Sequence, residues 1–338
     1  MREMPIDFVI AWVDGTDPAW QAERAAYQKR EKHCASSDGM ARYRDWELLK
    51  FWFRGVEQFA PWVNHIYFVT WGHLPQWLNT DHPKLTVVKH SDYIPAEFLP
   101  TFNSNVIELN FHRILGLSEQ FVYFNDDMFL LRPVAPEDFF IKGKPKDMLA
   151  LQPVVANRDD SVMPYIYLNN AMMLAGYFDK RDNMKRQPGA YFHPGYPPLY
   201  FLYNLMEMVF PRFTGFYTVH GPSALLKSTY EELWEKEGDY LTEVSRHRFR
   251  DKRDVNQYLL REWQKLSGNF VPCNAHSSCR YFNLGENNAE LTKTIRGQKS
   301  RSVCINDSEK ITETETVKKM LAEAFLSILP KPCSFEKS

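Results

Sequence analysis

Four short apolar runs, at residues 8–13, 65–70, 85–89 and 121–124, fall in the first 130 residues, and stretches of helical spacing separate them. Short apolar runs bounded by turn residues, such as the Asp-Gly and Asp-Pro pairs that follow Val13, read as buried strands. Strands that alternate with helices indicate a parallel sheet, because each crossover helix covers a face of the sheet. The expected fold class is therefore α/β, a Rossmann-like, mostly parallel sheet flanked by helices. The helical spacing covers residues 45–60, with Asp45 as N-cap and Pro61 just past the end, and residues 104–116, ending near Gly116.

Beyond residue 131 the pattern changes. Residues 132–215 are rich in Pro and Tyr and carry a basic segment at 180–186. They are expected to form an irregular or helical insertion above the sheet's edge, serving as packing, as a lid or as an acceptor surface. Residues 228–237 and 254–266 have helical spacing. Residues 312–329 are amphipathic, with Val317, Leu321, Ala324, Phe325 and Ile328 on one face. That face suits docking against the body, with a membrane surface as the alternative.

The net charge is −1, so bulk electrostatics give no reason to expect nucleic acid as a partner. Cys34, Cys273, Cys279, Cys304 and Cys333 are an odd, scattered set, unlike a disulfide framework and suited to a reducing compartment. Cys273, His276 and Cys279 lie close together but lack a fourth zinc ligand, so they read as structural. The first residues lack the apolar core of a signal peptide, and no run of about 18 apolar residues occurs. The expectation is a cytoplasmic protein, with the inner face of the membrane as a second location.

The stretch ending in Asn125-Asp126-Asp127 carries the clearest chemical signal. A buried strand that ends in adjacent carboxylates puts negative charge at the edge where open α/β sheets bind ligands. The two carboxylates repel unless a proton or cation lies between them. Mg²⁺ or Mn²⁺ would satisfy both and bridge to substrate phosphates. The plainer alternative is a turn or a helix cap.

Four dense polar blocks recur at the edges of apolar stretches. The first spans residues 6–18, including Trp12-Val13-Asp14-Gly15. The second runs from Arg44-Asp45 through Asn103-Ser104-Asn105, Glu108 and Arg113 to Asn125-Asp126-Asp127. The third is His220-Gly221-Pro222, and the fourth Cys304-Ile305-Asn306-Asp307. In this order they closely resemble the signature blocks of the Stealth family. Its members are bacterial capsular and exopolysaccharide phosphotransferases, together with the catalytic subunit of animal N-acetylglucosamine-1-phosphotransferase. Two positions depart from the usual pattern, Ile10-Ala11 before Trp12 and Leu115 in the Arg113–Gly116 segment, and neither removes a titratable group.

The resemblance implies a glycosyltransferase-like catalytic domain over 1–338 that moves a sugar 1-phosphate from a UDP-sugar to a saccharide hydroxyl. UDP-N-acetylglucosamine is the expected donor, a growing polysaccharide the acceptor and UMP the product. It makes His220 the general base and Arg250, with Asp254 as partner, the diphosphate clamp among Arg246, Arg248, Arg250 and Arg253. It assigns Asp126, Asp127 and Asp307 to the metal. Asp14, Gly15 and Asp17 in the first loop, Asn103, Ser104, Asn105 and Glu108 at a helix start, and Arg44, Arg113 and Asn125 are expected to bind or support substrate. The competing readings are a metal-dependent glycosyltransferase that releases UDP and a non-catalytic sugar-binding protein.

Overall fold

Five strands make the central sheet of the computed structural model, which describes residues 4–31, 44–156, 161–308, 311 and 313–337. They are β1 (Ile6–Ala11), β2 (Ile66–Thr70), β3 (Leu85–Lys89), β4 (Gln120–Asn125) and β5 (Ser223–Leu226), in the spatial order β5-β4-β1-β2-β3. The first four are parallel, as the alternation of strand and helix predicts, and β5 runs antiparallel to β4. Successive side chains of a strand point to opposite faces. Phe8, Ile10, Phe68 and Phe124 accordingly enter one hydrophobic core, and Val9, Tyr67, Val69 and Tyr123 the other. Two cores need apolar residues at every position, which is why these strands do not alternate with polar residues.

The helices longer than one turn are α1 (Pro18–Glu31), α2 (Leu49–Phe59), α3 (Ser104–Leu109), α4 (Met163–Tyr177), α5 (Lys180–Arg186), α6 (Pro198–Glu207), α7 (Lys227–Ser245), α8 (Tyr258–Leu266), α9 (Asn288–Arg296) and α10 (Thr314–Leu326). Several limits differ from those read in the sequence. Asp45 does not cap α2; its carboxylate accepts from the backbone N–H of Glu47, whose positive φ of 57° delays the helix to Leu49. The segment 104–116 stops at Leu109 and continues as one 3₁₀ turn, Phe111–Arg113. The helix expected over 228–237 runs on to Ser245 across a kink at Glu237. Residues 254–257 stay outside α8. In α10 the residues Val317, Leu321, Ala324 and Phe325 are buried, and Phe325 stacks on Phe51 at 5.3 Å, so its apolar face is docked on the body. Residue 312 lies outside the described residues, as does Cys34.

A smaller sheet completes the frame around the site. Strand Ser302–Asn306 pairs in parallel with Cys279–Asn283 and antiparallel with Met128–Leu130. The span 132–215 is mixed: short strands up to Leu151, then α4, α5 and α6.

Candidate active site

A cavity of about 1470 Å³ opens at the carboxyl edge of the parallel strands, where Ala11 lies in register with Asn125 on one side and Val69 on the other. The chain builds β2 and β3 outward from one side of β1 and then returns to place β4 on the other. Open α/β sheets bind ligands at such a switch point. Asn125, Asp126, Asp127, His220, Arg250 and Asp307 all line the cavity.

The acidic wall forms because β4 leaves the central sheet through Asp126 and Asp127 and enters the smaller sheet at Met128. There the N–H of Ile305 donates to the carbonyl of Asp127 at 2.8 Å, two residues before Asp307 on the same cavity wall. The Cys304 thiol donates to Asp127 Oδ2 at 3.2 Å, and His220 Nε2 lies 3.9 Å from the same oxygen. The other oxygen, Asp127 Oδ1, is buried without a hydrogen-bond partner, and so is Asp307 Oδ2. Arg44 reaches Asp307 Oδ1 at 3.4 Å. Asp126 is exposed to the cavity; the surrounding protein still takes water from its carboxyl and, with the charge of Asp127 added, pushes it up to about 7.

Unpartnered carboxylate oxygens beside a carboxyl driven upward fit a hard divalent cation, which takes oxygen ligands. Asp127, His220 and Cys304 also offer atoms within 4.8 Å of one another. Cys304 is the wrong ligand for Mg²⁺: burial and the charge of Asp127 hold it as a thiol, far above its ordinary titration range. Asp126, Asp127 and Asp307 all line the cavity, but the ligand atoms that converge within 4.8 Å are those of Asp127, His220 and Cys304.

His220 is held from behind by α8. Its Nδ1 is 2.5 Å from the Tyr258 hydroxyl. Arg261, which forms a bidentate pair with Asp147 at 2.8 and 2.9 Å, donates to the carbonyl of Val219 at 2.7 Å. Glu262 accepts from Thr218 Oγ1 at 2.7 Å and from Lys265 Nζ at 2.6 Å. Gln264 Oε1 accepts the backbone N–H of Leu226 at 2.9 Å. Every residue of α8 is buried, so these charge-assisted bonds operate away from water and fix the segment that carries His220. Gly221 follows because nothing larger fits: a Cβ there would stand 2.8 Å from the Cβ of Cys279.

Arg250 lines the cavity and donates to Ser104 Oγ at 2.6 Å. Its expected partner Asp254 is engaged elsewhere. That fully buried carboxylate accepts from Asn103 and Asn105 side chains at 2.8 and 2.9 Å and pairs with His247 Nδ1 at 2.7 Å. Asp254 thus ties the loop bearing Arg250 to the start of α3, where Asn103 is the N-cap. Ser104, Asn105 and Glu108 line the cavity, while Asn103 turns inward. Glu108 is buried, accepts from Tyr123 at 3.1 Å and is pushed up to about 7 by burial, with Arg250 pulling the other way.

Three first-loop residues lie off the cavity wall. Asp14 accepts the N–H and hydroxyl of Thr16 at 2.8 and 2.6 Å, the Gly15 carbonyl accepts from Gln21, and Asp17 caps α1 by accepting from Ala19 and Trp20. Arg113 is also outside it, over the Trp234 ring at 4.6 Å. Tyr258, Tyr167 and Arg280 line the cavity and were not singled out by the sequence. Nothing in sequence spacing joins Tyr258 to a histidine 38 positions earlier.

Fold and cavity together define an α/β enzyme whose site joins acids, an arginine and a braced histidine. Residues 4–31 match the model of Stealth protein CR1, conserved region 1, and residues 42–148 that of Stealth protein CR2, conserved region 2. The chain is 39% identical over 332 residues to a capsular polysaccharide phosphotransferase WcwK of Streptococcus pneumoniae, covering 98% of each. It is 39% identical to the receptor polysaccharide phosphotransferase WefC of Streptococcus oralis, covering 98% of this chain and 99% of that protein. The exopolysaccharide phosphotransferase cps2G of Lactiplantibacillus plantarum is 38% identical, with 98% and 96% covered. The chain belongs to the Stealth family. Among solved structures, the galactosyltransferase LgtC with donor and acceptor sugar analogues aligns at a TM-score of 0.41 and 10% identity, over 94% of this chain and 95% of that one.

Proposed function

We propose that this protein transfers a sugar 1-phosphate, N-acetylglucosamine 1-phosphate by resemblance, from a UDP-sugar to a hydroxyl of a saccharide acceptor, in capsule or exopolysaccharide synthesis at the cytoplasmic face of the membrane. The observation that carries this reading is the 3.9 Å approach of His220 Nε2 to Asp127 Oδ2 on the wall of a cavity that also presents Arg250. A neutral imidazole can accept a hydroxyl proton through its free ring nitrogen.

In this mechanism the acceptor hydroxyl gives its proton to His220 Nε2 as its oxygen attacks the phosphorus that bears the sugar. The bond from that phosphorus to the bridging oxygen breaks, and UMP leaves with the electron pair. Arg250 presents a planar, permanently charged group to the diphosphate. When bound, Mg²⁺ or Mn²⁺ supplies further positive charge there, held by Asp126, Asp127 and Asp307. Tyr258 keeps the imidazole aimed, and the unpartnered oxygens of the acidic wall favour the cation.

The test is incubation with UDP-N-acetylglucosamine, Mg²⁺ and a saccharide acceptor, with nucleotides resolved by chromatography. UMP is expected, and His220→Ala should lower its formation by about two orders of magnitude or more. Release of UDP instead would make the enzyme a glycosyltransferase.

A further inference from the structure

Helix α6 is built inside out. Its inward face is polar, with Tyr200, Asn204 and Glu207 buried. Asn204 donates to the carbonyls of Leu149 and Tyr191 at 2.9 and 2.6 Å and accepts from the N–H of Leu151 at 2.7 Å. Glu207 pairs with Lys180 at 2.9 Å. The outward face carries Leu199, Leu202, Leu205 and Met206, followed by Val209, at 49–79% exposure. Phe201, Met208 and Phe210 extend this surface, and from residue 194 to 211 the only charged residue is the buried Glu207. Surface helices of proteins that remain in water turn the opposite face outward, and an apolar patch of this extent marks an interaction surface.

Two neighbours indicate what covers it. The first is a basic rim. Lys180 Nζ donates to the carbonyls of Glu207 and Arg212 at 2.7 and 3.2 Å, which sets the start of α5 against the end of α6. Arg181, Lys185, Arg186 and Arg212 are exposed there, against Asp179 and Asp182. In a chain of net charge −1 this excess is local. The second neighbour is the cavity. On the inner side of α6, Tyr200 OH lies 2.6 Å from His276 Nε2, which Tyr217 OH also approaches at 2.7 Å, and both Tyr217 and His276 line the cavity.

We propose that α6, flanked by the bases of α5, is a docking face for an anionic lipid bilayer. The helix lies in the interface with its apolar side among the acyl chains and the rim bases at the headgroup phosphates. A self-complementary contact with a second copy would bring those bases few acidic counterparts, whereas anionic headgroups supply them. Docked this way, the cavity wall stands directly behind the membrane-facing helix. A lipid-carried acceptor would then have a short path to the site, a consequence that alone rests on the function proposed above.

The full chain is tested by co-sedimentation with phosphatidylcholine vesicles and with vesicles of phosphatidylcholine mixed with phosphatidylglycerol. Binding is expected to the mixed vesicles and to weaken with salt. The Leu202→Glu/Leu205→Glu double variant should lower binding about tenfold or more, with an unchanged circular dichroism spectrum and unchanged transfer to a soluble acceptor. Should that variant misfold, Arg181→Gln/Lys185→Gln serves, with reduced binding and a shallower salt dependence expected. The proposal is overturned if the wild-type chain ignores anionic vesicles or if the folded variants bind as well as it does. It is equally overturned if analytical ultracentrifugation finds a dimer that Leu202→Glu/Leu205→Glu splits while vesicles remain unbound. No substrate is needed, so a failure to release UMP would leave this result untouched.

Discussion

The Tyr258 hydroxyl stands 2.5 Å from Nδ1 of His220, which leaves Nε2 as the ring nitrogen turned toward Asp127. For Nε2 to accept a proton, Nδ1 must carry hydrogen and donate it to the tyrosine oxygen. Burial keeps the Tyr258 phenol neutral, well above its ordinary range, so it is a stable acceptor.

Tyr258→Phe should therefore lower kcat by about ten- to a hundredfold with little change in KM. The loss should fall on turnover, whereas a phenol that merely fills space would leave kcat unchanged.

Gly221→Ala should displace the turn after His220, because its Cβ would meet Cys279 Cβ at 2.8 Å and Sγ at 3.1 Å, and Cys279 is buried in a paired strand. A stability loss of about 1–3 kcal/mol is expected from overpacking. It should appear in the urea midpoint together with a drop in kcat.

Chelation with EDTA should abolish turnover, and added Mg²⁺ or Mn²⁺ should restore it. Asp127→Asn should prevent that recovery, since it neutralises the carboxylate whose Oδ1 has no protein partner. Cys304→Ser should retain Mg²⁺-dependent activity, because a hydroxyl can still donate to Asp127 and the thiol is no ligand for a hard ion.

Glu108 makes stability pH-dependent. Burial raises its carboxyl to about 7 in the folded chain from an ordinary 4.5, so the folded state keeps a proton that the unfolded state has lost. Its favourable contribution is complete below pH 4.5 and is lost as pH rises through 7, by about 3 kcal/mol. Glu108→Gln should flatten this part of the stability–pH curve, measured by urea unfolding at pH 5 and pH 7.5.

Much of the fold was legible because β1, β2 and β4 are apolar at nearly every position, which only a sheet covered on both sides explains. The acids at the end of β4 stood out because titratable groups interrupt an apolar run there, and His220 only through the family resemblance; all of them line the cavity. The resemblance set Arg250 beside Asp254 but could not show what each touches: Asp254 precedes α8 and faces Asn103 and Asn105, while Arg250 meets Ser104. Tyr258, Arg261 and Glu262 escaped notice for a different reason. Their partners are backbone carbonyls and side chains of another segment, a relationship that only tertiary packing creates. The inverted polarity of α6 also needed the structure, because residue spacing alone does not say which face is buried.

Asp127 and Cys304 touch although 177 positions separate them in the chain. A ribosome making this protein finishes the central strands β1–β4 long before it reaches the strand that closes the acidic wall. During that interval Met128–Leu130 is an unpaired edge beside uncompensated carboxylates, open to pairing with other chains. The acidic wall is thus a late assembly: one pairing, made only when Ser302–Asn306 exists, both seals that edge and sets Cys304 against Asp127.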